Sequence, residues 1–248
     1  MSSFFRIERH ASIGSTNDEA FRRAAEGERE GLVVTAETQT AGRGRQGRSW
    51  SDAPGKSLLF SVLLAPSVPL PSFPLLALAL AASVAGAGRA LTGAALEVKW
   101  PNDVTHLGRK LCGILAESRG AVGGRDPALV IGAGVNVDQD PEDFPPEVRG
   151  RATSLRLAAG GRAVDREALL TEILGRFETD LLLVRPGDPA PLFAALRPHL
   201  PVPGRPVAVR VGDRIVEGPV EAVLPTGALQ VRDARSGLLE TVAAGELA

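Results

Sequence analysis

The chain has 248 residues, 44% of them hydrophobic and 23% charged, and a net charge of −1. This composition fits one full globular domain plus a small one, and the charge balance gives no global attraction to nucleic acid or to a membrane. The single cysteine, Cys112, excludes an internal disulfide, and His10, His106 and His199 are scattered without a zinc-like spacing.

Residues 1–14 carry no apolar core of signal-peptide length, so the expected location is the cytoplasm. Phe4–His10 reads as a short strand. Thr16-Asn17-Asp18-Glu19 fits a capping box, with Thr16 as N-cap and Glu19 reaching back, ahead of a helix bearing Phe21, Ala24 and Ala25. Leu32–Glu37 reads as a strand, followed by a glycine-arginine loop and a second strand over Ser57–Leu64. No charge occurs from Ser57 to Gly88, but Pro66, Pro69, Pro71 and Pro74 interrupt the stretch. The Ala-rich remainder is well short of the ~20 residues of a membrane span, so it reads as a buried strand and then a buried helix from Ser72 to about Leu91.

Short strands follow at Leu96–Lys99, Lys110–Glu117 and Ala128–Val137, the first two joined as a hairpin by Leu107-Gly108-Arg109. Cys112, inside an apolar run, reads as a small buried side chain. Asp165 caps a helix through about Val184, with Leu169, Leu170, Ile173, Leu174 and Phe177 on one face, and a shorter helix covers Ala190–Leu196. Beyond Leu200, Pro201, Pro203 and Pro206 mark a boundary, and short β-rich runs alternate with glycines. That rhythm suggests a small antiparallel barrel packed on the main domain. The expected organisation is a first domain over 1–199 and a second over 200–248. Strands in runs and hairpins, rather than in β-α-β alternation, argue for α+β with a mixed or antiparallel central sheet.

The densest chemistry lies in Gln39-Thr40-Ala41-Gly42-Arg43-Gly44-Arg45-Gln46-Gly47-Arg48-Ser49-Trp50. Glycine lets a backbone approach a ligand and arginine adds a permanent forked cation, so the loop is built to wrap an anion. It spells G-x-G-x-x-G, but a strand follows where a dinucleotide-binding unit needs a helix and then an acid. A Walker A reading of Gly55-Lys56-Ser57 fails because Trp50 stands where the first glycine is required. Of 28 basic residues only three are lysines, Lys56, Lys99 and Lys110. In so arginine-biased a chain, Lys99 and Lys110 read as places that need a compact ammonium, whereas Lys56 sits in a turn that solvent alone can satisfy. Pro101 ends a strand, leaving Asn102 and Asp103 at its tip, able to hold a polar ligand or to form a simple turn. The glycines of Ile131-Gly132-Ala133-Gly134-Val135-Asn136 indicate close approach of a ligand or of a neighbouring element.

Gly14-Ser15-Thr16-Asn17, the stretch from Glu37 to Arg48 with the glycine-arginine loop, Lys99-Trp100-Pro101-Asn102-Asp103, Arg109-Lys110-Leu111-Cys112-Gly113-Ile114-Leu115-Ala116-Glu117 and Gly132-Ala133-Gly134-Val135-Asn136 together resemble the biotin–protein ligases in order and spacing. The resemblance implies a catalytic domain like that of class II aminoacyl-tRNA synthetases followed by an SH3-like barrel. It also implies ATP-dependent activation of biotin, with magnesium, as biotinyl-5′-AMP and transfer to a lysine of a biotin carboxyl carrier protein domain. By that resemblance Lys110, Arg45 and Asp103 are catalytic. Ser15, Thr16, Asn17, Gln39, Gly42, Arg43, Gly44, Arg45, Lys110 and Gly113 bind biotin. Arg45, Arg48, Trp50, Lys99, Asn102, Lys110 and Asn136 bind ATP, and Asn102 helps to hold magnesium. The Thr16 hydroxyl cannot both cap the helix and bind the ligand, and the sequence does not choose between these roles. About a dozen residues precede Gly14, which leaves no room for the helix-turn-helix domain of some family members, so specific DNA binding is not expected. No membrane partner is expected, and a homodimer is left open.

Two rival readings have discriminating features. A lipoate or octanoate protein ligase resembles this fold but needs a histidine-containing glycine motif that the chain lacks. An RGG-like nucleic-acid-binding module needs a basic surface and stacking aromatics, whereas only 4% of residues are aromatic and none is tyrosine.

Overall fold

The structure is a computed structural model that describes residues 4–65, 70–120, 128–184, 186–243 and 245–247. Strand β1 (Arg6–Ile13), helix α1 (Thr16–Ala25) and strand β2 (Leu32–Gln39) form a β-α-β unit in which the two strands are parallel. Strands β3 (Ser57–Leu64), β4 (Glu97–Lys99), β5 (Asp103–His106), β6 (Arg109–Arg119) and β7 (Ala128–Asn136) add antiparallel pairings. The sheet order is β1-β2-β3-β7-β6-β5-β4, so the molecule is α+β around a mixed seven-stranded sheet.

All of β3 is buried because both faces of the sheet are covered. The two-residue period of a strand divides its side chains. Leu58, Phe60, Val62 and Leu64 join the main core. Leu63 packs with Ala20 and Phe21 of α1 on the other face, where Ser61 also meets α1.

The long apolar helix α2 (Phe73–Thr92) has Pro74 in its first turn, where a proline costs no hydrogen bond, and ends at Gly93 with φ 75°. With the turn before it, Leu70–Thr92 is long and apolar enough to cross a membrane, so the shortness expected from the prolines does not hold. Packing decides the matter instead, since 83% of its most apolar window is buried inside the protein. Two one-turn helices, α3 (Pro146–Arg149) and α4 (Leu155–Ala158), lead to α5 (Arg166–Leu181) and α6 (Ala190–Leu196). The Asp165 carboxylate caps α5 by accepting from the Glu167 and Ala168 N–H groups, and all five expected apolar residues are buried. At about 1.5–3 kcal/mol for each buried large apolar side chain, that face anchors α5 on α2.

Two local expectations are corrected. No capping box starts α1: the N-cap is Ser15, without a side-chain cap bond. The Thr16 hydroxyl and N–H instead donate to Gln39 Oε1 at 3.0 and 2.8 Å, and Glu19 pairs with Arg22. A long-range amide acceptor and a nearby guanidinium outcompete the local cap. The turn at Leu107-Gly108 joins β5 to β6, not β4 to β6. Both turn residues have positive φ, 50° and 76°, the requirement of a tight two-residue hairpin. Strand β4 turns through Trp100-Pro101-Asn102 into β5, setting Lys99 opposite Asp103. Strand β5 is only four residues long and has a single apolar side chain, Val104, too little for a periodicity to show.

The tail forms a separate antiparallel sheet of β8 (Pro206–Val211), β9 (Arg214–Val223), β10 (Leu229–Arg232), β11 (Leu239–Val242) and β12 (Glu246–Leu247), in the order β11-β10-β9-β8-β12. Its inward valines, Val207, Val209, Val216, Val220, Val231 and Val242, belong to the same continuous core as α2. The Trp100 indole N–H donates to the Gly227 carbonyl at 2.9 Å and ties the two sheets together.

Candidate active site

Glycines form the floor of a polar-walled cavity. Gly113 of β6 lies opposite Gly134 of β7. A Cβ at Gly134 would stand 2.4 Å from the Trp50 indole, and one at Gly132 would stand 2.2 Å from Asn17 Oδ1. The glycines therefore bring the loop tryptophan and the start of α1 directly against strand backbone, the close approach expected of them.

One wall is polar and buried. Ser15, Thr16 and Asn17 open α1 and face Gln39 at the end of β2. Behind them the Ser61 hydroxyl lies 2.7 Å from Thr16 Oγ1 and 2.6 Å from Asn17 Oδ1. Asn17 Nδ2 donates to Glu117 at 2.7 Å and to the Leu115 carbonyl at 3.3 Å. Sequence reading gave neither Ser61 nor Glu117 a role in the site, although Glu117 ends the Arg109–Glu117 motif. For Ser61 the signal was there: a hydroxyl in the middle of an apolar strand has to find a partner.

The other wall is cationic. Arg45 donates to Asn102 Oδ1 at 2.8 Å and to the Gly245 carbonyl at 3.1 Å. The Lys110 ammonium stands 2.8 Å from Asp103 Oδ1, off the direction of a hydrogen bond, and 5.8 Å from the Trp50 ring centre. Its backbone is clamped on both sides: its N–H donates to the Arg151 carbonyl at 2.7 Å, and its carbonyl accepts from Thr153 N–H at 2.9 Å. Arg43 also lines the cavity, but it is not the open cation that the loop composition suggests. Asp18 and Glu117 neutralise it, and Asp18 also takes Arg119 at 2.7 Å. The hydrogen bond from Arg43 is the main cause holding the Asp18 carboxyl below its ordinary range.

Of the expected residues, Ser15, Thr16, Asn17, Gln39, Arg43, Gly44, Arg45, Arg48, Trp50, Lys99, Asn102, Asp103, Lys110 and Gly113 line this cavity. Arg48, Trp50, Lys99, Asp103 and Lys110 also line an adjoining cavity of ≈ 820 Å³, to which Asn136 contributes. Gly42 lines neither; its carbonyl accepts Trp50 N–H at 3.0 Å and so closes the base of the loop. Lys56 lines neither cavity and pairs with Asp143 at 2.5 Å while its side chain stays partly exposed to solvent. Cys112 is fully buried, and burial pushes its thiol pKa well up, which leaves it unreactive.

The residues around Asn102 do not make a magnesium site by themselves. The Asn102 oxygen accepts from Arg45, its amide nitrogen donates to the Ile114 carbonyl at 2.7 Å, and among the described residues Asp103 is the only carboxylate lining either cavity. Elsewhere the fold gathers Glu8, His10 and Glu19, whose donor atoms lie within 4.8 Å of one another, a convergence their spacing in sequence did not suggest. These groups are already engaged, Glu8 with His10 and Arg23 and Glu19 with Arg22.

A buried polar wall facing a glycine-arginine loop across a glycine floor, on a mixed sheet, defines a class. The chain matches the Biotin/lipoate A/B protein ligase family over residues 10–136 and belongs to it. Among its relatives, it is 40% identical over 169 residues to the bifunctional ligase/repressor BirA of Bacillus subtilis (strain 168), covering 68% of this chain and 51% of that protein. It is 33% identical over 223 residues to the biotin--[acetyl-CoA-carboxylase] ligase of Paracoccus denitrificans, covering 90% and 92%. The match thus spans about half the length of the first relative and nearly all of the second. The biotin protein ligase from Aquifex aeolicus, solved in complex with biotin and ATP, superposes with a TM-score of 0.78 at 26% identity, covering 98% of this chain and 97% of that one.

Proposed function

We propose that this chain is a biotin–protein ligase working in two steps. The biotin carboxylate attacks the α-phosphate of ATP, forming biotinyl-5′-AMP and releasing pyrophosphate. The amine of a carrier-domain lysine then attacks the acyl carbon, giving an amide and releasing AMP. The observation that carries this reading is the junction at Lys110, which lines both the polar-walled cavity and the larger one beside it. A carboxylate held in the first cavity and a phosphate held in the second would meet there.

The residues suit that chemistry. The ureido ring of biotin needs donors and acceptors, and Ser15, Thr16, Asn17 and Gln39 supply both. Negative charge gathers on the carboxylate and the transferring phosphorus, and Lys110 and Arg45, fixed before the reaction begins, stabilise it without reorganising. Arg48 and Lys99 extend the cationic lining toward the β- and γ-phosphates. Asp103, beside Lys110, orients the ammonium and lies near the point where an incoming amine must lose a proton. Magnesium accompanies the nucleotide in this reading, but no step rests on it.

The wider reading places the protein in the cytoplasm with a biotin carboxyl carrier domain as its partner, and a homodimer stays open. It divides the chain at 199/200 into a synthetase-like catalytic domain and an SH3-like barrel. Strand β9 supports the barrel, because its first part (Arg214–Pro219) pairs with β8 and its last part (Val220–Val223) with β10, with a register shift between Gln230 and Val231 of β10.

The test is to incubate the folded protein with ATP, magnesium and biotin and to look for the biotinyl-AMP mass, then for AMP release when a carrier domain is added. Lipoate or octanoate serving in place of biotin would move the reading to the rival ligase. No adenylate with any of these acids would defeat it.

A further inference from the structure

A buried amide without an evident structural purpose stands behind Asn136. Gln139 is 2% exposed, and its Oε1 has no hydrogen-bond partner among the described residues. A protein does not bury half of an amide unsatisfied for packing alone, since an apolar side chain of the same volume avoids the penalty. Its other half is in use: Nε2 donates to Ser57 Oγ at 2.8 Å and to Asn136 Oδ1 at 3.3 Å. The Gln139 backbone is pinned as well, its carbonyl accepting from the Ser154 hydroxyl at 2.7 Å.

Asn136 is the residue this arrangement holds. Its Nδ2 donates to the Thr153 carbonyl at 3.0 Å. A main-chain carbonyl can only accept, so the Asn136 nitrogen must face Thr153 and its oxygen must face Gln139. Gln139 in turn must present nitrogen, which strands its own oxygen. With one site at each end taken, Asn136 keeps one N–H and one oxygen lone pair, and the residue lines the ≈ 820 Å³ cavity. An amide edge of fixed orientation tells purines apart. A 6-amino purine sets an exocyclic donor beside a ring acceptor, whereas a 6-oxo purine has an acceptor at the exocyclic position and a donor at ring N1. Reversing the amide reverses the preference.

We propose that Gln139 is a positioning residue that locks the Asn136 amide and thereby selects a 6-amino over a 6-oxo purine nucleotide. This rests on the reading that the larger cavity takes the nucleotide. Gln139 acts through Asn136 and does not itself reach the ligand; it lines neither cavity.

The test is calorimetric binding of ATP and of GTP to the full chain, without turnover, for the wild type, Gln139→Glu and Gln139→Met. Gln139→Glu keeps the shape but turns an acceptor toward Asn136; Gln139→Met removes the polarity and carries the test if the charged variant does not fold. The expected result is an ATP:GTP affinity ratio at least about tenfold lower in the variants, through weaker ATP binding, with biotin affinity within about twofold of wild type. An unchanged ratio, or equal weakening of both nucleotides as a merely structural residue would cause, overturns the proposal. So does a wild type that binds both nucleotides equally. ATP-selective binding without biotin-dependent pyrophosphate exchange would instead defeat the proposed ligase activity and leave this inference standing.

Discussion

A lysine and an arginine carry the same charge, but they fill space differently, and the three lysines of this chain separate by where that difference matters. Lys110 stands at the junction of two cavities with its backbone clamped on both sides, and Lys99 lines both cavities. Lys56 is tied to Asp143 outside them. The guanidinium of Lys110→Arg is wider and planar, and a misplacement of ~1 Å in such a site costs on the order of 100-fold in rate. Biotin-dependent ATP–pyrophosphate exchange should therefore fall by at least about tenfold, equivalent to ~1.4 kcal/mol of transition-state stabilisation. Lys56→Arg keeps an exposed ion pair and should change the rate by less than about threefold. Equal rates in the two variants would show that scarcity of lysine marks nothing chemical here.

Between elements, the α2–α5 contact contains one group at odds with its surroundings. Asp180 of α5 is partly buried against α2, where the Ser83 hydroxyl lies 3.4 Å away, and burial raises its carboxyl pKa. A carboxyl whose folded pKa lies above its unfolded value holds its proton better in the folded state. Stability is then lost as pH rises through the window between the two values, and the loss persists above it. Asp180→Asn keeps an acceptor for Ser83 and removes the charge, so at pH 7 it should raise Tm by on the order of 1–2 °C. Below about pH 3, where the acid is protonated in both states, the gain should disappear. Thermal melts at the two pH values check this; a gain of equal size at both would point to packing rather than charge.

For the molecule as a whole, the C-terminal sheet shares one core with the main sheet, and Trp100 links them through the Gly227 carbonyl. Trp100→Phe keeps an aromatic ring but leaves that carbonyl without its donor, at a cost of about 1–3 kcal/mol. The expected fall in Tm is roughly 3–10 °C, still in one cooperative transition because neither sheet retains a complete core alone. Two separate transitions in calorimetry would show that the sheets fold independently.

Local patterns in the sequence were enough to identify the elements whose apolar signal is regular or continuous. The apolar stripe of α5 and its Asp165 cap were legible from a period of 3.6, and the strand Ser57–Leu64, buried on both faces, from its nearly unbroken apolar run. The residues of the glycine-arginine loop, the Lys99–Asp103 tip and the Gly132–Asn136 strand were legible as chemistry, and the fold brings them to one place. Their partners were not legible. Thr16 chose Gln39 over a local cap, Arg43 spent its charge on Asp18 and Glu117, Lys56 found Asp143, and Ser61 reached α1 across the sheet. Each of those choices is made between groups many residues apart, where hydrogen bonds and ion pairs depend on distance and direction in the folded chain. Sequence by itself determined which groups the protein carries and the elements that bear them; only the tertiary structure decided which of those groups remain open to a ligand.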